Sequence, residues 1–513
     1  MRIWTGRAGS GKTTAILREI AALSEKGEGR QILLVPELNS HLMERRLAAA
    51  THNHGARTAE VLTFSRLADR VFSEVGGLAQ QMLTPAGQLL TLQEAARRVQ
   101  GGLSAWKGLA DKPELLQEAL RLIDECKTCA VAPETLFAAA EESEDAVLAE
   151  KLSDLAQILT AYERLCEESL PDPRDRLTHL RDRLAESHTL DGAAVYLDGF
   201  LGFTVQESAV VDAMLAAGVP LSAAVTCDTD YPEIFLTGCK TVQKLTRMAK
   251  HHNQTVERIE LGESKVARPA GLAALERESL LPVRTPQESA AGVRLYEAAS
   301  PFDECEHAAA YIRRKVRDEG ARCRDFVVAA RDIEPYSAFL AMAMARYDIP
   351  VFLAEKPDLL SRPPMALVTN ALEAVRNHFR YEDLFSCLKT GLAGLDWDEI
   401  DKLENYVLTW NIRGRAWERE WTEHPDGYGL SIDENARAQL AELNTLRKRA
   451  IAPFSALREA LAGEQPAGDC VRALYAFLLA VDAPQRMTDR AAGHEQAGRL
   501  QLADEYRQLW EIL

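Results

Sequence analysis

The chain has 513 residues, more than an ordinary domain, and we expect about three or four structural units. Hydrophobic residues make up 47% of the sequence, enough for large buried cores, and we find no apolar run long enough to cross a bilayer. The net charge of -17 argues against a protein that simply coats DNA, but it allows a local basic groove. No secretory pattern precedes the first motif, so we expect a cytoplasmic protein with no membrane partner.

The first motif lies close to the start of the chain and has the form G-x-x-x-x-G-K-T. It consists of Gly6, Arg7, Ala8, Gly9, Ser10, Gly11, Lys12 and Thr13, called the P-loop below. An apolar run precedes it and a helical pattern follows, which is the context of a phosphate-binding loop. Its glycines let backbone N–H groups turn toward a polyphosphate at a helix N-terminus. We predict an ATP site in which Lys12 reaches the outer phosphates and Thr13 holds Mg²⁺. The alternative is a glycine-rich turn before an ordinary helix.

Short apolar runs then alternate with helical patterns, which predicts a parallel sheet with helical crossovers. We predict strands over 32–36, 61–64, 194–198, 221–226 and 256–261. The helical pattern is almost unbroken from about 84 to 187, and this segment reads as a helical insertion into the α/β unit.

A second α/β pattern begins at Val293. We predict strands over 293–297, 326–331 and 351–353, with helices over 303–319 and 336–346. From residue 363 onward the pattern is helical to the last residue. Three strands are few for a complete domain. We therefore expect either that the chain is a fragment or that residues outside it complete the second sheet.

ATP hydrolysis needs acidic groups at the end of a neighbouring strand. Asp198 follows the strand over 194–198 and is the natural Mg²⁺ partner, with a strand-end turn residue as the alternative. The next residue is Gly199, where a carboxylate that polarises the attacking water would be expected. Loss of such a base costs orders of magnitude in rate. We assign no catalytic residue and expect ATPase activity to be weak or absent.

Two segments resemble motifs of superfamily 1 helicases. The segment 61–67 resembles the motif that contacts single-stranded DNA, and 326–331 resembles the strand whose arginine approaches the γ-phosphate. The resemblance implies that Thr63 and Phe64 contact DNA and that Arg331 contributes to ATP binding. Phe64 has an equally good alternative as a core aromatic at a strand end.

Five segments carry a more specific resemblance: 6–13, 34–37, 198–207, 389–392 and 403–406. On these segments the chain resembles, within that superfamily, the AddB (RexB) family of helicase–nuclease subunits, which process double-strand DNA ends. It implies an α/β fold of RecA-like P-loop parallel sheets with large all-helical insertions. The implied partners are an AddA-type helicase/nuclease subunit, in a heterodimer, and single-stranded and double-stranded DNA ends. The implied process is double-strand break repair by homologous recombination.

The resemblance also implies a division into domains. We assign 1–83 and 188–262 to a first RecA-like domain, 84–187 to its helical insertion, 263–292 to a connector, 293–362 to the start of a second RecA-like domain, and 363–513 to the incomplete helical insertion of that domain. The family's C-terminal half carries a PD-(D/E)XK nuclease and a 4Fe-4S cluster held by four cysteines. We expect both only in the missing C-terminal part.

Besides Gly199, the chain departs from an active helicase at two further places. Leu201 stands where a coupling glutamine would be, and 227–230 contains no glutamine to sense the γ-phosphate. The family resemblance implies a degenerate motor beside an AddA-type one, with a channel for one strand and a part in recognising the Chi sequence. The alternatives are an active superfamily 1 translocase and a scaffold that does not hydrolyse ATP.

Two further patterns have structural explanations that we favour. Cys126 and Cys129 supply only half of a tetrahedral metal site, so we interpret them as incidental thiols. Arginines are interspersed with tryptophans over 410–421, which suits single-stranded nucleic acid. An amphipathic helix with inward tryptophans explains the same spacing.

Overall fold

The computed structural model describes residues 1–52, 58–262, 266–278, 289–353 and 359–513. It divides into two compact units, Met1–Leu295 and Tyr296–Leu513. Among the helices of these described ranges, none has the length and apolar character needed to cross a membrane. Part of the predicted connector, residues 263–265 and 279–288, lies outside the described residues.

The first unit is built on one six-stranded sheet in which every pair of neighbouring strands is parallel. Its strands are β1 (Arg2–Gly6), β2 (Arg30–Leu34), β3 (Ala59–Leu62), β4 (Ala193–Leu197), β5 (Leu221–Thr226) and β6 (Glu257–Glu260). Their order across the sheet is β3-β2-β4-β5-β1-β6. This arrangement confirms the predicted fold class, an α/β fold with a RecA-like parallel sheet.

Helices follow the strands of this unit and fill a long insertion between β3 and β4. They are α1 (Lys12–Lys26), α2 (Ser40–Ala50), α3 (Phe64–Val75), α4 (Pro85–Val99), α5 (Pro113–Thr128), α6 (Pro133–Glu142), α7 (Ala146–Glu168), α8 (Arg176–Arg183), α9 (Val205–Ala216), α10 (Leu236–His251) and α11 (Ala270–Glu278).

Helices cover both faces of the sheet, and strands β1 to β5 each contribute to two cores because their successive side chains point to opposite faces. Ile32 and Leu34 of β2 belong to a core with α3, α8, α9 and α10, whereas Leu33 belongs to a core with α1 and α2. All three side chains are fully buried. The P-loop and its helix α1 are therefore supported by a rigid, two-sided layer.

The helices α4 to α7 have a separate apolar core. Ile123, Leu159 and Tyr162 are fully buried in it. The carboxylate of Asp154, itself buried, accepts backbone N–H bonds from Ser104 and Trp106 and so ties the loop after α4 to α7. Although α8 lies within the predicted insertion, it packs on α3 and α9 and contributes to the core of the sheet.

Helices are the regular secondary structure of the second unit, and its described residues contain no strand. Its helices are α12 (Pro301–Glu319), α13 (Glu334–Arg346), α14 (Pro363–Arg376), α15 (Tyr381–Leu388), α16 (Trp397–Trp410), α17 (Glu434–Ala460), α18 (Ala467–Ala480), α19 (Ala483–Gln496) and α20 (Leu500–Ile512). α12 and α13 share a small core around Cys305 and Leu340, and α14 to α20 surround a larger one.

The predicted strands 293–297, 326–331 and 351–353 are corrected by the structure, because none of them is a strand. Several of their apolar side chains lie in solvent, with Leu295 99% exposed and Val327 90% exposed, whereas Phe326 and Leu353 pack against the core of α12 and α13. A strand exists only where neighbouring backbones exchange hydrogen bonds, and within the described residues these segments have no such neighbour. The local apolar pattern predicts strands here, but it does not specify the neighbours on which sheet pairing depends.

The tryptophan-rich segment is buried as we favoured, but it is not one helix. α16 ends at Trp410, and Trp417 and Trp421 follow in a 3-10 turn and a loop. Both later rings are almost fully buried, while the arginines at 413, 415 and 419 are exposed. The inward tryptophans are thus confirmed and the predicted helix is wrong.

Candidate nucleotide-binding site

The P-loop starts where β1 ends and folds back tightly over its own beginning. Gly6 has φ 154°, and a Cβ placed on it would lie 2.6 Å from Ser10 Oγ and 2.8 Å from the Leu261 carbonyl oxygen. A side chain at this position is therefore excluded. The loop ends at Gly11, the N-cap residue of α1, which contributes no side chain to cap the helix. The free N–H groups of the helix start remain available to an anion.

Lys12 extends back across the loop. Its Nζ donates to the carbonyl oxygens of Gly6 at 2.8 Å and Arg7 at 2.9 Å. Partial burial lowers the pKa of the Lys12 ammonium, and the negative charge of Asp198 opposes that shift. Neutral carbonyls compensate a buried cation less well than an anion does. The ammonium is thus positioned where phosphate oxygens would be better partners than the loop itself.

Ser10 provides an independent test of whether a phosphate fits here. It is 1% exposed, and its hydroxyl has no hydrogen-bond partner in the described part of the chain. Buried hydroxyls are normally paired, because an unpaired one costs its full desolvation. A hydroxyl donor beside a lysine and a helix N-terminus matches the oxygen-rich surface of a polyphosphate.

Asp198 comes directly after β4, with β5 separating that strand from β1. It is 6% exposed, and its N–H donates to the Leu34 carbonyl at 3.1 Å. Burial raises the pKa of the Asp198 carboxyl, while hydrogen bonds from the Thr13 side chain and the Gly199 N–H lower it. The structure thus brings together the two residues predicted to hold Mg²⁺. A hydroxyl beside a carboxylate is a suitable oxygen-donor set for that ion.

Gly199 adopts a conformation that disfavours any other residue. Its φ is 83°, and a Cβ would lie 3.2 Å from Asn39 Nδ2 and 3.4 Å from Pro36 Cδ. A glutamate here would be strained in its backbone and crowded by Pro36. The backbone itself therefore opposes placing a base at the position where the sequence lacks one.

Two features of this site escaped the sequence analysis. Arg46 of α2 lies near enough to Asp198 for its charge to lower the pKa of that carboxyl. Arg7 of the P-loop donates to Asp228 with an Nε–Oδ2 distance of 2.5 Å, and its guanidinium lies over the rings of Tyr231 and Phe235. The segment after β5 therefore covers one side of the P-loop. No motif signals this pairing, because its two partners are far apart in the chain.

The residues predicted to contact DNA have structural contacts of their own. Thr63 is 1% exposed and caps α3 by accepting the Arg66 N–H at 3.2 Å. The ring of Phe64 is 6% exposed and meets Phe200 edge to face at 5.6 Å. A base cannot stack on Phe64 in this arrangement. A DNA contact at this turn stays a prediction.

Arg331, predicted to approach the γ-phosphate, belongs to the second unit. Its side chain is exposed and lines a cleft of about 410 Å³ between the starts of α12 and α13. Glu304 and Tyr336 line the same cleft. The proposed contact of Arg331 with ATP stays a prediction.

The fold defines an α/β protein built on a parallel sheet, and a lysine, a threonine and an aspartate come together at the carboxyl ends of its strands. Residues 3–276 match the family model described as ADDB, N-terminal. The match covers more than half of the chain, and the chain belongs to the ADDB N-terminal family.

Curated relatives match along the whole chain, and each is named as the same subunit of an ATP-dependent helicase/deoxyribonuclease. The relative from Acetivibrio thermocellus is 32% identical over 529 residues, which cover 100% of this chain and 46% of the relative. Those from Thermoanaerobacter sp. and Clostridioides difficile are 30% and 29% identical, with the same coverage. The chain thus spans about half the length of the curated relatives it matches.

Two segments that carried the family resemblance meet in the second unit. Lys389 forms an ion pair with Glu404 at 2.6 Å, and the Tyr381 hydroxyl donates to the same carboxylate at 2.7 Å. The lysine and the tyrosine hold the pKa of the Glu404 carboxyl below its usual value, against the effect of partial burial. The resemblance at these positions has a structural explanation, a link between α15 and α16.

Proposed function

We propose that this chain is the helicase-like part of the AddB-type subunit of an ATP-dependent helicase/deoxyribonuclease. In this proposal it binds ATP–Mg²⁺ and one DNA strand, hydrolyses ATP slowly or not at all, and acts beside an AddA-type motor at double-strand DNA ends. The process it serves is double-strand break repair by homologous recombination. The name that the relatives share supports the subunit role. The site geometry supports the nucleotide role.

The observation that carries the nucleotide role is the convergence of Lys12, Thr13 and Asp198 around a loop with an unpartnered buried hydroxyl. In the bound state Lys12 would neutralise the outer phosphates. Thr13 and Asp198 would hold Mg²⁺, directly or through its water ligands. The metal would supply charge neutralisation of the phosphate chain. The start of α1 would donate backbone N–H groups to phosphate oxygens.

Weak hydrolysis follows from Gly199. The position after the metal-binding aspartate carries no carboxylate, and its left-handed backbone disfavours one. The other main charges acting on Asp198 are those of Lys12 and Arg46, which are cations and not carboxylates. A bound ATP would then act as a ligand that organises the domain.

One observation favours the rival hypothesis of an active translocase. The Thr13–Asp198 pair is intact, and a hydrolysing motor needs this pair. The two hypotheses differ in turnover but agree on binding. A single preparation therefore distinguishes them when binding and turnover are measured together.

The test is calorimetric titration of the purified chain with ATP–Mg²⁺, together with phosphate release measured with and without single-stranded DNA. We expect binding without DNA-stimulated turnover, and binding at least about tenfold weaker in Lys12→Ala. Lys26→Ala is the matched control, because Lys26 is exposed at the far end of the same helix. DNA-stimulated turnover that disappears in Lys12→Ala would establish the translocase instead. If the chain does not bind ATP at millimolar concentration, both nucleotide-binding hypotheses are excluded and the chain is a scaffold.

A further inference from the structure

Two cysteines beside the P-loop lie in direct contact. Cys227 follows β5 and Cys239 lies in the first turn of α10, and their sulfur atoms are 3.0 Å apart. This is the only sulfur–sulfur hydrogen bond in the described part of the chain. The Cys239 thiol also lies 3.7 Å from the Asp228 carbonyl oxygen, to which it donates. Both sulfurs therefore belong to one small polar cluster at the end of the sheet.

The backbone around them explains why they meet. A Cβ on Gly238 would lie 2.0 Å from the Thr226 carbonyl oxygen, so α10 starts in direct backbone contact with the end of β5. Only glycine permits this approach. On the other side, the Cys227 N–H donates to the Gly6 carbonyl at 3.4 Å. The cysteine pair thus joins the start of α10 to the first residue of the P-loop.

The loop between the two cysteines covers the P-loop. The Asp228 carboxylate accepts a hydrogen bond from the Arg7 guanidinium. The rings of Tyr231 and Phe235 lie against the same guanidinium, with centroids 5.0 and 5.6 Å from its central carbon. With both thiols reduced, these noncovalent contacts hold the loop, residues 228–238, in place. A covalent bond between Cys227 and Cys239 would restrict the loop far more, because it would close the loop into a ring with fewer accessible conformations.

We propose that Cys227 and Cys239 are an oxidisable dithiol that closes to a disulfide on exposure to a peroxide and clamps the loop 228–238 over Arg7. The Cys239 sulfur attacks one peroxide oxygen, which forms a sulfenic acid and releases the first water. The Cys227 sulfur then displaces the second water and forms the S–S bond. Each sulfur loses one electron, and the two thiol protons leave in the two water molecules. A thiol reductant reverses the reaction.

The order of these steps follows from exposure. Cys239 is half-buried, whereas Cys227 is 2% exposed, so the peroxide meets Cys239 first. Burial, and the hydrogen bond with Cys239, raise the pKa of the Cys227 thiol to about 12. Thiolate is the reactive form, and the closing step should therefore accelerate as the pH rises.

The experiment treats the full chain with hydrogen peroxide and maps its thiols by mass spectrometry of non-reduced peptides. We expect a Cys227–Cys239 disulfide that dithiothreitol reverses, formed several-fold faster at pH 9 than at pH 7. In Cys227→Ser the closing step is lost, and we expect a sulfenic acid on Cys239 that a dione reagent traps. Cys129, exposed at the end of α5, is the internal control for general oxidation.

Hydrogen exchange then tests the clamp. We expect residues 228–238 of the oxidised chain to exchange at least about tenfold more slowly than those of the reduced chain. Free thiols at 227 and 239 after Cys129 is fully oxidised would overturn the proposal, and so would a disulfide that leaves exchange in this loop unchanged. Neither readout involves nucleotide, so failure of ATP binding leaves this test intact.

Discussion

Two regions of this chain carry the same sequence pattern of short apolar runs followed by helices, and they fold differently. In residues 1–262 the runs become six parallel strands with both faces covered. In residues 293–353 they remain unpaired, and Val327 and Phe352 are each 90% exposed. The helices of both regions form as the pattern predicts. The difference teaches that a helix satisfies its own backbone, whereas a strand depends on a neighbour.

The difference also bears on function. The paired region places Lys12, Thr13 and Asp198 at one sheet edge, because the carboxyl ends of parallel strands meet there. In the unpaired region, Arg331 lies on an exposed segment that lines a cleft. A site on a sheet edge is held by the packing beneath it. A residue on an unpaired segment has no such support.

The largest expected effect compares a buried side chain of the paired strands with an exposed side chain of the unpaired segments. Ile32→Ala removes a fully buried side chain from β2 and should lower the free energy of unfolding of the first unit by about 2–5 kcal/mol. Val327→Ala, in the exposed segment, should change stability by less than about 0.5 kcal/mol. Urea unfolding followed by hydrogen exchange in peptides of each unit measures both. Equal losses would mean that the Val327 side chain is packed in solution, and the comparison would fail.

The second prediction concerns two glycines with left-handed backbones, one in each region. Gly199→Ala should cost about 1–2 kcal/mol, because φ is 83° and the new Cβ approaches Asn39 and Pro36. Gly320→Ala, at the end of α12 with φ 68° and open space around it, should cost only the backbone strain of about 1 kcal/mol. Thermal unfolding of both variants provides the measurement. A Gly199→Ala variant as stable as the parent would remove the structural argument against a base at this position.

The third prediction compares the cations proposed for ATP. Arg331→Ala should weaken ATP–Mg²⁺ binding by no more than about fivefold, since an exposed charge contributes about 0–1 kcal/mol. Lys12→Ala should weaken it at least about tenfold. Calorimetric titration of the two variants side by side decides this. A loss in Arg331→Ala as large as that in Lys12→Ala would give the exposed segment a role in the site equal to that of the P-loop.

The smallest expected effect is a pH dependence at two surface carboxylates. Glu74 accepts hydrogen bonds from Ser187, His188 and Thr189, and these hold its pKa at about 2 against an ordinary 4.5. A lowered carboxyl pKa contributes stability above pH 4.5, which is lost as the pH falls through about 2. The stability difference between the parent and Glu74→Gln should therefore narrow across this range.

The counterpart in the second region is Asp325, whose pKa Arg322 lowers through hydrogen bonds and charge. Asp325→Asn should show the same direction of change as the pH falls below the ordinary carboxyl range. Acid titration of unfolding in the two variants checks both. A difference that stays constant down to pH 2 would mean that neither carboxylate is held by its neighbours in solution.

Much of the site was open to prediction from the sequence. The P-loop residues and Asp198 follow from spacing and from the strand before each of them, since both signals are local. Arg46 and the Arg7–Asp228 pair were missed, because nothing local links residues so far apart in the chain. Phe64 shows the converse case, in which a local motif indicates a contact that the packing of the ring opposes. Its motif indicated a DNA contact, and only the packing against Phe200 placed its ring in the core.

The sequence by itself determined the helices, the alternating first unit, the P-loop and the absence of a base at Gly199. These are properties of short segments, in which backbone preference and side-chain spacing suffice. The tertiary structure alone decided which apolar runs became strands, whether the Phe64 ring was buried and which cysteines came into contact. Each of these depends on groups from distant parts of the chain, and their free energy of interaction appears only when the fold brings them together.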